Sequence, residues 1–262
     1  MKLLAKLRQP ILITAIYMLV LYVVALFLRF DGDYTREAIR VGSLVAGFLL
    51  PHLVVLAVFG AKPRLSNVLI TVMILVLLAD LDAGPWMMAG LGIVTALIKT
   101  VVRMKNQPVF NPAAAGLMVM SFFGMATTWW GVSFSPRLPI WSMSLAMGLT
   151  LPVGLLLIWM YKKIPTLIGV TVAFAGTYFL LAGRIPMVTI FEGTFAFFLM
   201  FMATEPKTTP LVDWQEWIYG LLLGGLLALM FIQKWTGAPY LVSLLAMNVI
   251  FSGYKWVQLR LA

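Results

Sequence analysis

Cysteine is absent from the chain, and histidine occurs once, at His52. Without cysteine there is no disulfide framework, no thiolate metal site and no cysteine nucleophile. One histidine excludes a histidine-based metal cluster and a haem with two histidine ligands. Charge is scarce as well: 11% of the 262 residues are charged, against roughly 25% in an ordinary soluble domain. Apolar residues make up 62%, where roughly 45–50% is usual, and the mean hydropathy is +1.00. Too little polar surface remains to coat a water-soluble globule, which excludes a soluble enzyme, a disordered regulator and a secreted scaffold. What is left is an all-α integral membrane protein, read as a single transmembrane domain over residues 1–262.

The charges that do occur are unbalanced: 19 Lys and Arg face 9 Asp and Glu, a formal net charge of +10. The cations sit at the ends of apolar runs, which is the pattern of topology signals beside lipid and not of a nucleic-acid footprint. A helical span takes about 20 apolar residues. Uncharged runs of that order occur at Ile11–Leu28, Val41–Ala61, Leu138–Tyr161, Pro165–Gly183, Trp217–Gln233 and Trp235–Tyr254. Shorter ones are Ser66–Ala79, Ala83–Ile98, Asn111–Thr128 and Val188–Ala203. The expectation is therefore about ten transmembrane helices. Lys2, Lys6 and Arg8 precede the first run, but Phe30-Asp31-Gly32-Asp33 lacks a small-residue cleavage pattern, so that run is kept as a helix.

With ten crossings and a cytoplasmic N-terminus, thirteen cations fall inside: Lys2, Lys6, Arg8, Lys62, Arg64, Lys99, Arg103, Lys105, Lys162, Lys163, Lys207, Lys255 and Arg260. Six fall outside: Arg29, Arg36, Arg40, Arg137, Arg184 and Lys234. This bias predicts both termini in the cytoplasm of a cell carrying the protein in its inner membrane. Trp86, Trp129, Trp130, Trp141, Trp214 and Trp217 lie near segment ends, where the headgroup zone favours an amphipathic ring. Gly220-x-x-x-Gly224 permits close helix approach.

The chain also echoes itself. Leu50-Pro51 recurs as Leu151-Pro152, Lys62 as Lys163 and Pro85 as Pro186, each displaced by 101 positions; Pro108 and Pro112 recur as Pro206 and Pro210, displaced by 98. Duplication is common in transporter and channel folds, and it divides the chain into halves at about 1–128 and 138–262. The displacement of 101 shifts the register by four helices, whereas an inverted repeat needs an odd shift, so the register stays open. The two proline-spaced stretches interrupt the chain beside apolar segments, and broken backbone at membrane depth is tolerated only where protein or a watery cavity covers it. Asn111 followed by Pro112-Ala113-Ala114-Ala115-Gly116 starts a helix, with Asn as cap and Pro in the first turn. Its opening turn offers N–H groups and a positive dipole end to a phosphate, carboxylate or ring carbonyl; the same residues equally describe a capped helix start with no ligand.

At these two stretches the sequence resembles the NqrB/RnfD family of membrane subunits, from the sodium-pumping NADH:quinone oxidoreductase and the related Rnf electron-transport complex. Phe110-Asn111-Pro112-Ala113-Ala114-Ala115-Gly116 is similar to the family's F-N-P-A-x-x-G, and Phe201-Met202-Ala203-Thr204-Glu205-Pro206-Lys207-Thr208-Thr209-Pro210 to its F-M-A-T-D-P-V-T-x-P. Softer similarity brings the covered stretch to residues 40–258. The resemblance implies a urea-transporter-like architecture, partner subunits of an Rnf- or Nqr-like complex, and flavin. The family commonly carries FMN on a threonine of an [ST]-G-A-T motif; this chain has no such motif, and Gly124-Met125-Ala126-Thr127-Thr128 stands in its place. Covalent FMN is therefore not expected. A noncovalent flavin (FMN or riboflavin) remains, anchored at Asn111, Pro112, Ala113, Thr204 and Glu205.

Ionisable groups within a membrane are costly and are functional candidates by default. The candidates for an ion pathway are Asp80, Asp82, Glu192 and Glu205, with Glu205 preferred because it lies inside the family-like motif. Asp80 and Asp82, without cations beside them in that stretch, suit a sodium ion or a proton; the alternative is a solvated outer turn before Gly84-Pro85. His52 is a mid-segment group able to titrate near neutral pH. Two functions follow: a membrane subunit of a redox-driven ion-translocating electron transport complex, or a stand-alone channel or transporter for a small solute or cation on the same fold. A membrane hydrolase lacks a nucleophile–base pair.

Overall fold

The computed structural model describes residues 9–29, 32–59, 65–104, 107–133, 140–210, 212–235 and 238–261. Of the residues invoked above, Lys2, Lys6, Arg8, Phe30, Asp31, Lys62, Arg64, Lys105 and Arg137 lie outside the described residues, as do the side chains of Arg29, His52, Trp141 and Arg260. The first half runs α1 (Pro10–Arg29), α2 (Tyr34–Phe59), α3 (Leu65–Leu78), α4 (Pro85–Val101), a small hairpin of β1 (Arg103–Met104) and β2 (Gln107–Pro108), and α5 (Pro112–Ser121). The second runs α6 (Ile140–Tyr161), α7 (Ile164–Ala182), α8 (Met187–Ile190), α9 (Gly193–Phe197), a π-helical turn (Phe198–Met202), α10 (Asp213–Ile232) and α11 (Pro239–Leu261). Among the described residues α1, α7, α10 and α11 are long and apolar enough to cross a membrane, and shorter apolar helices lie between them. The protein is a multi-pass α-helical membrane protein.

The apolar runs become helices because nothing within them halts an α-helix except proline and the polar turns. Pro51 and Pro152 are carried inside α2 and α6. The run Val188–Ala203 departs from expectation. It breaks at Phe191-Glu192, and the remainder is a ten-residue piece, α9 continued by the π-helical turn, too short to span. Asn111–Thr128 likewise supplies only ten helical residues.

Glycine sets the two most extensive helix contacts. A Cβ on Gly47 of α2 would lie 2.2 Å from the carbonyl oxygen of Ala89 on α4, and one on Gly92 of α4 would lie 2.5 Å from that of Leu44. In the second half a Cβ on Gly224 of α10 would lie 2.3 Å from the carbonyl oxygen of Val170 on α7, and one on Gly220 would lie 2.8 Å from that of Thr166. The G-x-x-x-G spacing thus does bring two backbones together. Between the halves, the rings of Tyr17 and Phe201 stack 4.7 Å apart, and the Tyr17 hydroxyl donates to Thr150 Oγ1 at 2.8 Å.

Short helices that stop inside protein leave carbonyls to be satisfied. The end of α3 is served by the loop after α5: Gly131 N donates to Leu77 O, Thr128 N and Trp129 N to Leu78 O, and the Trp130 indole to Val76 O at 2.7 Å. Trp129 and Trp130 are therefore buried, at 6% and 3% exposure. The expectation of headgroup anchors fails for this pair, because their polar edge is needed inside. Trp86 is exposed, as an end anchor should be.

Two cations read as loop charges are also buried. Arg40, at 2% exposure, forks onto Glu37 at 2.6 and 2.9 Å and donates to Asp80 O at 3.1 Å, just past α3. Its guanidinium lies 5.6 Å from the Trp130 ring centroid, and Tyr22 donates to Glu37 at 2.9 Å. Lys163, at 1% exposure, bonds Glu216 Oε1 at 2.7 Å and the carbonyl of Pro210, in the turn after the π-helical segment. In each half a buried cation at the start of a long helix (α2, α7) thus holds the backbone that follows a short one. Neither cation counts as a flanking topology charge, and removing one from each side leaves the bias unchanged in direction.

Candidate functional site

The C-terminal end of the π-helical segment, the N-terminus of α5 and the middle of α11 meet on a set of polar atoms. Asn111 caps α5 through its Oδ1, which accepts from Ala114 N at 3.0 Å, and Pro112 follows in the first turn. The other side of that amide, Nδ2, donates to Glu205 Oε2 at 2.9 Å. The Asn111 backbone N–H donates to Asn248 Oδ1 at 2.9 Å, and Asn248 Nδ2 reaches Thr208 O at 3.5 Å. Thr208 Oγ1 approaches Glu205 Oε2 at 3.4 Å. Two stretches 94 positions apart are therefore joined side chain to side chain, with α11 as the brace.

The turn bearing Glu205 is held locally as well. Thr204 Oγ1 donates to Met200 O at 2.8 Å, Thr209 Oγ1 to Glu205 O at 2.8 Å, and the N–H groups of Thr208 and Thr209 both converge on Glu205 O. Because the π-helical segment precedes it directly, the turn begins from a widened helix end, a feature often found at functional sites. The Glu205 carboxyl is pushed above the usual carboxylate range by burial, while Lys207, Lys99, Thr208 and Asn111 pull it back. Burial is the largest of these influences.

These atoms border a cavity of about 650 Å³. All five residues expected to anchor a ligand (Asn111, Pro112, Ala113, Thr204 and Glu205) line it. So do Lys99 and Arg103, first read only as topology charges, Tyr161, and Phe201 and Lys207 of the second family-like stretch. Lys99 Nζ donates to Thr71 Oγ1 at 2.8 Å and lies 5.4 Å from the Phe48 ring centroid. The signal available in the sequence was the nearness of two of these cations to the motifs: Arg103 lies eight residues before Asn111 and Lys207 two after Glu205. The α5 opening turn offers fewer donors than expected, since Pro112 has no N–H and Asn111 itself takes that of Ala114.

The other acidic candidates do not join this site. Asp82 precedes α4 and Lys99 lies near its far end, about 21 Å along the helix from Pro85 at 1.5 Å per residue. Asp82 is exposed and faces Arg36 at 3.7 Å, and the Asp80 carbonyl is held by Arg40, so the expected absence of cations there is overturned: helix α2 folds them alongside. Asp80 Oδ1 accepts from Asp82 N at 3.1 Å, the bond of a local turn. Glu192 precedes α9 and is not among the cavity's lining residues, being separated from Glu205 by the whole short helix. No group of three or more His, Cys, Asp or Glu able to hold a metal ion occurs among the described residues.

Fold and site together define a multi-pass helical membrane protein with a cavity of mixed polar and apolar lining, built on two interrupted segments. The model of the NQR2, RnfD, RnfE family matches residues 140–252, so this part of the chain is similar to that family. The match includes the Phe201–Pro210 stretch, Glu216 and Asn248, and ends short of the Asn111 stretch, so it is narrower than the 40–258 expected. No curated protein matches the chain.

Proposed function

We propose that the chain is a membrane subunit of a redox-driven, ion-translocating electron transport complex of the Nqr or Rnf kind, and that its cavity holds a flavin noncovalently. The observation that carries this reading is the Asn111–Glu205 bond: both family-like stretches turn into one cavity, where a common ligand would touch both. The cavity's size lies within the range of about 300–1,000 Å³ typical of small-molecule and cofactor sites. Phe201 and Tyr161 supply ring faces, and Asn111, Thr204 and Glu205 supply polar anchoring. Flavin would bring the electron-accepting chemistry that the chain's own side chains lack. Glu205, with its raised pKa, exchanges a proton or a cation at the same place.

Two further parts of this reading concern architecture. The matched packing of α2 on α4 and of α7 on α10, each with its buried cation, relates the halves by five helices once α8, only four residues long, is left out of the count. That shift is odd, and it makes the repeats inverted within a urea-transporter-like fold. The proline displacement of 101 would instead pair α2 with α6. The termini are cytoplasmic in the cell membrane, and partner subunits cover part of the exposed surface. Purification in mild detergent tests the function: flavin that leaves on denaturation supports it, whereas flavin-free protein that passes a solute in liposomes favours the stand-alone channel.

A further inference from the structure

Three buried hydroxyls, those of Thr95, Tyr219 and Tyr240, have no hydrogen-bond partner among the described residues. An unpaired hydroxyl away from water is costly, so each calls for a reason. Two are enclosed by packing. Thr95 presses on Gly116 of α5, where even an added Cβ would overlap its Oγ1. Tyr240 is ringed by Trp129, Phe198 and Phe231, with centroids between 5.0 and 5.4 Å away.

Tyr219 has different neighbours. It is fully buried on α10, one turn after Glu216, whose partner Lys163 holds the Pro210 carbonyl at the end of the Glu205 turn. On its other side its ring meets Phe251 of α11 edge-on at 5.1 Å. Phe251 lies one turn after Asn248, which holds Asn111 N and Thr208 O. Tyr219 is thus set between the two braces of that turn, close enough to Glu205 for the carboxylate charge to act on its hydroxyl. Polar capacity remains beside it. Asn111 and Thr208 both approach Glu205 through Oε2, and the contact of Asn248 Nδ2 with Thr208 O is at 3.5 Å, the outer limit of a hydrogen bond.

We propose that Tyr219 is a positioning residue of the Glu205 site, acting through a buried water that its hydroxyl shares with Glu205 Oε1 and the Asn248 amide. A buried water takes about two to four polar partners, and these groups supply them. The assignment gives Tyr219 a task that phenylalanine lacks the oxygen to perform. It fixes a water that donates to Glu205, and such a donor favours the ionised carboxylate. The inference concerns the chain's own residues and holds whichever ligand the cavity takes.

The test is an infrared pH titration of the ligand-free full chain in mild detergent, reading the C=O stretch of protonated carboxyls. Glu205→Gln identifies the Glu205 band by deleting it. The other charged or titratable groups that face Glu205, Lys207 on its own turn, Lys99 of α4 and Tyr161 of α6, stay the same in the tyrosine variants. Tyr219→Phe is expected to raise the proton affinity read from that band by roughly three- to tenfold, to shift its frequency, and to melt at or below wild type. Tyr240→Phe removes a hydroxyl that is enclosed by rings, so it should leave the band in place and melt at or above wild type. An unmoved Glu205 band in Tyr219→Phe overturns the proposal, and a melt above wild type beside it marks a dry, merely unpaired hydroxyl. Neither result bears on whether flavin binds. If Tyr219→Phe does not fold, Tyr219 labelled as 3-fluorotyrosine replaces it. Its fluorine resonance is expected to follow the Glu205 midpoint and to differ between light and heavy water, and a resonance indifferent to both overturns the proposal.

Discussion

Replacing Lys163 by methionine should unlatch the turn that carries Glu205. Lys163 and Glu216 are 1% and 2% exposed and stand 2.7 Å apart. The same ammonium also holds the carbonyl of Pro210, the last residue of the Thr204–Pro210 turn. Methionine keeps most of the volume and removes both bonds. Glu216 would be left as a buried carboxylate with only Thr166 Oγ1 at 3.4 Å. Breaking a buried pair from one side costs about 3–5 kcal/mol, and the orphaned carbonyl contributes about 1–3 kcal/mol of any such loss. At about 2–4 °C per kcal/mol for a chain of this order, the melting temperature in detergent should fall by about 10 °C. The double variant K163M/E216L removes both charges and leaves only the carbonyl unpaired, so it should recover about half of the fall or more. Intrinsic fluorescence of the tryptophans in a thermal ramp reads both. A single variant melting within about 2 °C of wild type, or a double variant worse than the single, would refute the reasoning.

Three more outcomes follow from the same structure. Gly224→Val places side-chain atoms where even a Cβ comes within 2.3 Å of the Val170 carbonyl, so α7 and α10 must part; a loss of about 1–3 kcal/mol or more, or failure to fold, should appear in the detergent melt, whereas Gly148→Ala, with nothing within 4 Å of its Cβ, should melt as wild type. Asn111→Ala deletes a helix cap worth about 1 kcal/mol and strips Glu205 of its 2.9 Å donor, so ligand affinity at the cavity should fall by more than this modest change in stability accounts for. The pH dependence has a definite sign. The Glu205 pKa in the folded chain is raised, so protonation removes a negative charge from the cavity as pH falls through it, and FMN should bind more tightly there. The groups facing Glu205 are Lys207 on its own turn, Lys99 of α4, Tyr161 of α6 and Tyr219 of α10. Glu205→Gln should abolish this part of the profile; identical profiles for variant and wild type would count against it.

Much of the site was legible because proline and asparagine act locally. Asn111 before Pro112 predicts a capped helix start from two residues, and the cap is there at 3.0 Å. The convergence on Glu205 was an expectation taken from paired motifs, and distance along the chain hides such a contact from any local rule. Asn248 illustrates the limit: one amide in an apolar run carries no period and no cap pattern, yet it braces Asn111. Arg40 and Lys163 were misjudged for a related reason. Positive-inside counting treats every cation near a span as solvated, whereas these two are turned inward by carboxylates and carbonyls whose positions depend on tertiary packing. Trp130 was misplaced likewise, since a ring near a segment end fits a headgroup and an unsatisfied carbonyl equally well until Val76 O is seen to need a donor. The short pieces α5 and α9 with its π-helical turn escaped because hydropathy alone measures apolar length, and the chain stays apolar beyond the point where each helix stops.

The central claim is that the Asn111 and Glu205 turns form one ligand cavity inside a membrane subunit. Its most direct measurement is the visible absorption spectrum of the purified wild-type chain and of Glu205→Gln, each saturated with FMN and freed of excess by gel filtration. The account predicts flavin that co-elutes with the wild type, leaves it on denaturation, and is retained with altered affinity and spectrum by the variant. Flavin that never co-elutes, or that binds the two proteins indistinguishably, would contradict it.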